Sequence, residues 1–83
     1  MHEYPLVKQI IDTAESFARQ NKAIRITDIN LVIGEYSGCA PGSIELYFDI
    51  IADGGLCCGA KLNIEREDGG REFYIRSIVI ERK

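Results

Sequence analysis

From Pro5 to Gln20 the apolar residues Leu6, Val7, Ile10, Ile11, Ala14, Phe17 and Ala18 recur at intervals of three and four. That period predicts an amphipathic helix. Pro5 suits the first helical turn, where its missing N–H removes no hydrogen bond, and Asn21 is a residue type that ends helices. Glu15 and Arg19 stand one turn apart on the wet face of this pattern, placed to pair in solvent. From Arg25 to Glu35 the pattern changes: Ile26, Ile29, Leu31 and Ile33 are interleaved with Asp28 and Asn30, which predicts a strand. Ile26 falls on the opposite parity from the other three, so a bulge is expected near Thr27.

Gly34 ends this strand, and Tyr36-Ser37-Gly38-Cys39-Ala40-Pro41-Gly42 reads as a loop. Ser43 is placed to cap a second, short helix with the stripe Ile44, Tyr47 or Phe48, and Ile51, stopped by Asp53-Gly54-Gly55. Two further strands follow, over residues 59–66 and 71–81, separated by Glu67-Asp68-Gly69-Gly70. Asp-Gly favours a tight antiparallel hairpin. Ile78, Val79 and Ile80 are apolar on both parities, which favours a central position for the last strand. With a right-handed crossover between the first two strands, the expected fold is α/β of the α+β type. Two helices pack on one face of a three-stranded mixed β-sheet, element order α-β-α-β-β, with strand order first, third, second.

Composition narrows the class. Eighty-three residues, 46% of them hydrophobic, suit one domain that buries roughly 60–65% of its unfolded surface. Lys plus Arg number 10 against 13 Asp plus Glu, for a net charge of −3, and the basic residues are scattered. Nucleic acid and anionic membrane are therefore not the expected partners. Apolar runs are short and polar residues begin at His2, so neither a transmembrane span nor a signal peptide is expected. Cys39, Cys57 and Cys58 form no CxxC pair, which points to a reducing cytoplasm rather than a disulfide framework or a four-cysteine zinc site.

The single histidine, His2, follows Met1 and precedes Glu3. A terminal amine, the His2 amide and the His2 imidazole can close fused five- and six-membered chelate rings, and such planar nitrogen sets suit Ni(II) and Cu(II). Position alone also describes an ordinary exposed residue near a chain end. Cys57 and Cys58 read as free thiols at a helix-to-strand junction, with a soft-metal or vicinal disulfide site as the alternative. Nothing supplies an acid/base pair or a phosphate loop, so no enzyme is expected.

The chain resembles the hydrogenase nickel-incorporation proteins of the HypA/HybF family. The resemblance rests on Met1-His2-Glu3 opening into an amphipathic helix, on Ile33-Gly34-Glu35-Tyr36-Ser37-Gly38, and on Pro41-Gly42-Ser43-Ile44 leading to Phe48-Asp49-Ile50-Ile51-Ala52-Asp53-Gly54. It continues through Gly59-Ala60-Lys61-Leu62-Asn63-Ile64-Glu65 to the last strand, Gly70-Arg71-Glu72-Phe73-Tyr74-Ile75-Arg76-Ser77-Ile78-Val79-Ile80-Glu81. It implies a cytoplasmic nickel metallochaperone domain with Met1, His2 and Glu3 as nickel ligands. Implied partners are the GTPase HypB and the hydrogenase large-subunit precursor, for a chain that is a monomer or homodimer. Family members carry a zinc module with two CxxC pairs between the last two strands. Here only a short turn at 66–71 bridges that gap, so residues 1–83 are expected to form a single nickel-binding domain without structural zinc. Gly42 also departs from the family pattern, which often places an acid there. The alternative is a metal-independent interaction scaffold of the same descent, docking through the second helix and the loop before it.

Overall fold

The computed structural model describes residues 3–83. Its elements are α1 (Glu3–Gln20), β1 (Ala23–Gly34), α2 (Pro41–Ala52), β2 (Lys61–Glu67) and β3 (Phe73–Arg82), the expected order. Val7, Ile11, Ala14 and Ala18 of α1 are buried, the stripe that the helical period marks. Phe17 is not part of that buried set: it stands 60% exposed, at the wet edge of the stripe. Asn21 ends the helix twice over, because both its backbone N–H and its side-chain Nδ2 donate to the Phe17 carbonyl, at 3.2 and 2.9 Å. Lys22 then turns the chain with a left-handed φ of 59°.

The sheet is ordered β2-β1-β3, with β2 parallel and β3 antiparallel to β1. Two expectations are corrected here. The last two strands do not form a hairpin, and β1 rather than β3 is central. The apolar run that marks a strand covered on both faces is Leu31-Val32-Ile33. Leu31 and Ile33 face the helices, while Val32, on the opposite face, is fully buried beside its register partners Glu65 and Tyr74. The double parity in β3 has another origin: Arg76 has no partner between the pairs Asn30/Ser77 and Leu31/Ile75. This bulge shifts the alternation by one residue, so Phe73, Ile75, Ile78 and Ile80 all face the core, and Val79 is left 48% exposed. The bulge expected near Thr27 is present between Ile26 and Asp28 and brings Ile26 onto the face of Ile29, Leu31 and Ile33.

Both helices cover that one face, with Ile44, Phe48 and Ala52 of α2 joining the α1 stripe over β1. Ser43 does not cap α2. Ala40 is the N-cap residue, without a side-chain cap bond, and Pro41 opens the helix; a proline there is already preset for the first turn. On the other face a polar row crosses all three strands. Asn63 Nδ2 donates to Asn30 Oδ1 (2.8 Å) and Asp28 Oδ2 (3.2 Å), and Asn30 Nδ2 donates to Ser77 Oγ (2.9 Å).

Because β2 and β3 flank β1, the link over residues 68–72 has to cross the end of β1, a span of about 9.6 Å, two strand spacings. Gly34 N–H donates to the Glu72 carbonyl (2.7 Å), Glu35 N–H to Glu67 (2.8 Å) and Tyr36 N–H to Gly70 (2.7 Å). A Cβ on Gly34 would run into the backbone carbonyl of Gly70. Gly34→Ala is therefore expected to lower unfolding free energy by about 1–3 kcal/mol, the range for forced overpacking. Gly42→Ala, where a Cβ meets nothing within 4 Å, should leave stability unchanged or slightly raised. Urea midpoints of the two variants against wild type check this.

Candidate functional site

Glu3 lies in the first turn of α1 and is half-buried. Its Oε2 accepts a hydrogen bond from the Ala40 N–H at 3.3 Å. That N–H stands at the N-terminus of α2, where the unpaired amides of the helix carry partial positive charge. A carboxylate in this place stabilises the start of α2 by about 0.3–1 kcal/mol. One residue on, the Tyr4 ring meets Tyr47 of α2 edge to face, with centroids 5.8 Å apart. The first turn of α1 is thus held against α2 and the residue that precedes it. Met1 and His2, the other two expected nickel ligands, lie outside the described residues.

The loop that Glu3 reaches is itself ordered by short-range bonds. Ser37 is buried, and its Oγ accepts from the Cys39 N–H at 3.3 Å. Cys39 is half-buried and packs on the core. Gly42, the second residue of α2, borders open space. Among the described residues no three His, Cys, Asp or Glu side chains converge to hold a metal ion. Of the three expected nickel ligands, Glu3 is the one that lies within the described residues.

The three cysteines do not form a sulfur set. Cys57 is fully buried in the core, Cys58 is exposed, and all three are free. Of the two read as free thiols at the helix-to-strand junction, Cys57 packs in the core as a small hydrophobe, whereas Cys58 faces solvent. Glu15 departs from the expected wet-face role. It does pair with Arg19 at 3.4 Å, but its side chain is only 12% exposed, and its Oε2 accepts from the Cys57 N–H at 3.2 Å. Glu15 also fills the space that a side chain at position 55 would need. Burial pushes the Cys57 thiol up from an ordinary 9.0 to about 12, reinforced by the charge of Glu15 and a hydrogen bond to it, with Arg19 acting in the opposite direction. Such a thiol is chemically inert near neutral pH. Glu15 lies four residues after buried Ile11 and so borders the stripe rather than opposing it, a placement that is visible in the chain.

A recess of about 290 Å³ between α1 and β3, lined by Thr13, Phe17, Ile75 and Ile78 among others, holds no titratable group besides Arg76. It offers shape but little chemistry. Among the described residues no helix is long and apolar enough to cross a membrane.

Comparison with known proteins places these features. A family model described as hydrogenase/urease nickel incorporation, metallochaperone, hypA matches residues 1–72. The hydrogenase maturation factor HypA of Dehalococcoides mccartyi is 38% identical over 66 residues, 80% of this chain and 56% of that protein. Its counterpart from Shewanella baltica is 37% identical over 65 residues, 78% and 56% of the two chains. The chain thus spans about half the length of these relatives. The solution structure of the Ni metallochaperone HypA from Helicobacter pylori superposes with a TM-score of 0.88 at 21% identity, covering 100% of both chains. A second solution structure of a HypA protein gives 0.71 at 22% identity, covering 96% and 85%. At such identities the structures speak for the fold, and the sequence matches speak for the family.

The Cys57 environment predicts a pH effect. The folded chain keeps the thiol proton to about pH 12, whereas an unfolded thiol loses it near 9.0. Between these values the unfolded state binds fewer protons, so stability falls as pH rises through that window and is unaffected by this group below it. The stability gap between wild type and Cys57→Ala should accordingly narrow from about pH 8 to about pH 10.5 in urea unfolding. A constant gap would show that the thiol is not shielded.

Proposed function

The chain belongs to the HypA family of hydrogenase/urease nickel-incorporation metallochaperones, and from that premise we propose that it is a cytoplasmic nickel-binding domain that holds Ni(II) at its N-terminus and delivers it during maturation of nickel-iron hydrogenase. In this reading residues 1–83 form one nickel-binding domain, without a zinc module between β2 and β3 and without enzymatic activity. The Met1 amine, the His2 amide and imidazole, and Glu3 make up the ligand set. The partners are the GTPase HypB and the hydrogenase large-subunit precursor.

The observation that carries this reading is the Glu3 to Ala40 hydrogen bond. Nickel release to a client requires an exposed, incomplete coordination shell, and such a shell binds well only if its donors are held in place before the metal arrives. Glu3 supplies that placement. It fixes the residue next to the two that supply the nitrogen donors against a helix end, so the chelate rings close with less loss of chain entropy. The carboxylate has a second oxygen free of that bond, and that atom is available to the metal or to a water on it. Square-planar nitrogen donors with an oxygen at hand match the preference of Ni(II) rather than that of zinc.

A calorimetric nickel titration tests the ligand set. The native chain is expected to bind one equivalent, His2→Ala to lose that binding, and Glu3→Gln to weaken it about tenfold, in the range seen when a group that orients a ligand is removed. A few residues added before Met1 should abolish binding by converting the amine to an amide. Undiminished binding in the extended chain or in His2→Ala would remove the N-terminal site.

A further inference from the structure

The face of α2 turned away from the core is apolar, the reverse of what a surface helix requires. Leu46 and Ile50 lie two residues to either side of buried Phe48, which puts each about 160° around the helix from it. They are 60% and 59% exposed, and their four-residue spacing makes them neighbours on one ridge. Gly42 extends the ridge by another turn with nothing but open space above it. One flank of this ridge is acidic. Glu45 and Asp49 are exposed one turn apart, a like-charge spacing that costs a few tenths of a kcal/mol. Neither is a member of the four ion pairs found among the described residues. α2 itself contains no basic residue.

Glu45 and Asp49 also rim a recess of about 200 Å³ between α2 and β2, floored by Phe48, Ala60 and Leu62. An apolar floor with a carboxylate rim suits the aliphatic stem and cationic head of an arginine or lysine. We propose that the outer face of α2 is a docking surface for a basic amphipathic helical segment of a partner protein, with the partner's apolar side chains on Leu46 and Ile50 and a cationic side chain in the recess rimmed by Glu45 and Asp49. Charge decides among occupants. A second copy packed α2 to α2 about a two-fold axis would set two acidic flanks against each other, and anionic lipid would meet the same repulsion. A basic helix gains from both the ridge and the flank.

The surface stands on geometry alone; its use in delivery rests on the nickel reading above. Through the Ala40 N–H the same helix holds Glu3, so a partner seated on α2 would lie beside the N-terminal site. A single exposed helix face with one anchor recess gives a small contact, in keeping with a transient encounter.

The test uses a synthetic helical peptide of about five turns with leucines at intervals of three and four and flanking arginines, and a matched peptide with glutamates in place of the arginines. In an NMR titration of the full chain, the arginine peptide is expected to shift amides of α2 and of residues 60–62, and the glutamate peptide to shift none. Leu46→Ser combined with Ile50→Ser, and separately Glu45→Lys combined with Asp49→Lys, should each weaken binding at least about tenfold by fluorescence anisotropy, the effect of losing an interface anchor. Both double variants should titrate nickel as wild type does, which separates failure of this surface from failure of the nickel site. Raising ionic strength from about 0.05 to about 0.5 M should weaken the wild-type complex by screening, an effect readable without any variant. Shifts on another face, equal binding by the glutamate peptide, wild-type affinity in either double variant, or a wild-type dimer that Leu46→Ser with Ile50→Ser dissolves would overturn the proposal.

Discussion

The crossing of the β2–β3 link over the end of β1 sets the layout of the molecule. A link of five residues has to span two strand spacings and still satisfy its backbone groups, and it does so through three bonds from Gly34, Glu35 and Tyr36 to Glu72, Glu67 and Gly70. The close approach leaves no room for a side chain on Gly34. Once the link passes there, β1 has a partner on each side, and its run Leu31-Val32-Ile33 is covered on both faces. β2 and β3 become edge strands with one core face each. Tyr36, which begins the loop to α2, is held by the same crossing, so the loop that meets Glu3 starts from a fixed point.

Two carboxylates of α1 then position α2. Glu3 bonds the backbone at Ala40, just before α2, and Glu15 bonds the backbone at Cys57, in the loop that follows it. The two acids are twelve residues apart, about 18 Å along a helix at 1.5 Å per residue, and the twelve residues of α2 span the same length. α1 therefore acts as a bracket that fixes both ends of a parallel helix whose own caps are poor, since Ala40 offers no side-chain cap. The proposed metal site occupies one end of that bracket. The exposed ion pairs Lys8–Asp12, Arg25–Glu81 and Arg76–Glu65 contribute little by comparison, because solvent screens them.

The candidate site was legible to the extent that its chemistry is local. Met1-His2-Glu3 can be read as a chelate because the atoms concerned are consecutive. The bond from Glu3 to Ala40 joins positions 37 residues apart, and no period or spacing in the chain signals it. Glu15 is an intermediate case: its place beside the stripe was visible, but its partner was not. Gly42 was conspicuous only as a departure from a pattern, and the structure gives that departure a plain setting, open space at the edge of an exposed helix face.

By itself the sequence determined the five elements, their order and which side of each helix is buried, because these follow from periods of 3.6 and 2 and from turn residues acting over a few positions. It also determined that Ile26 changes parity through a bulge. Strand order was a tertiary decision. Asp-Gly between two strands signals a hairpin locally, and only the competition for a place beside β1 puts a whole strand between those two. The apolar run at residues 78–80 likewise has two meanings, a strand covered on both faces or a bulge upstream, and the register against β1 at Arg76 selects the second. Local pattern states which side chains seek cover; the tertiary structure decides which neighbour provides it, because that choice depends on the length of the link that must reach across.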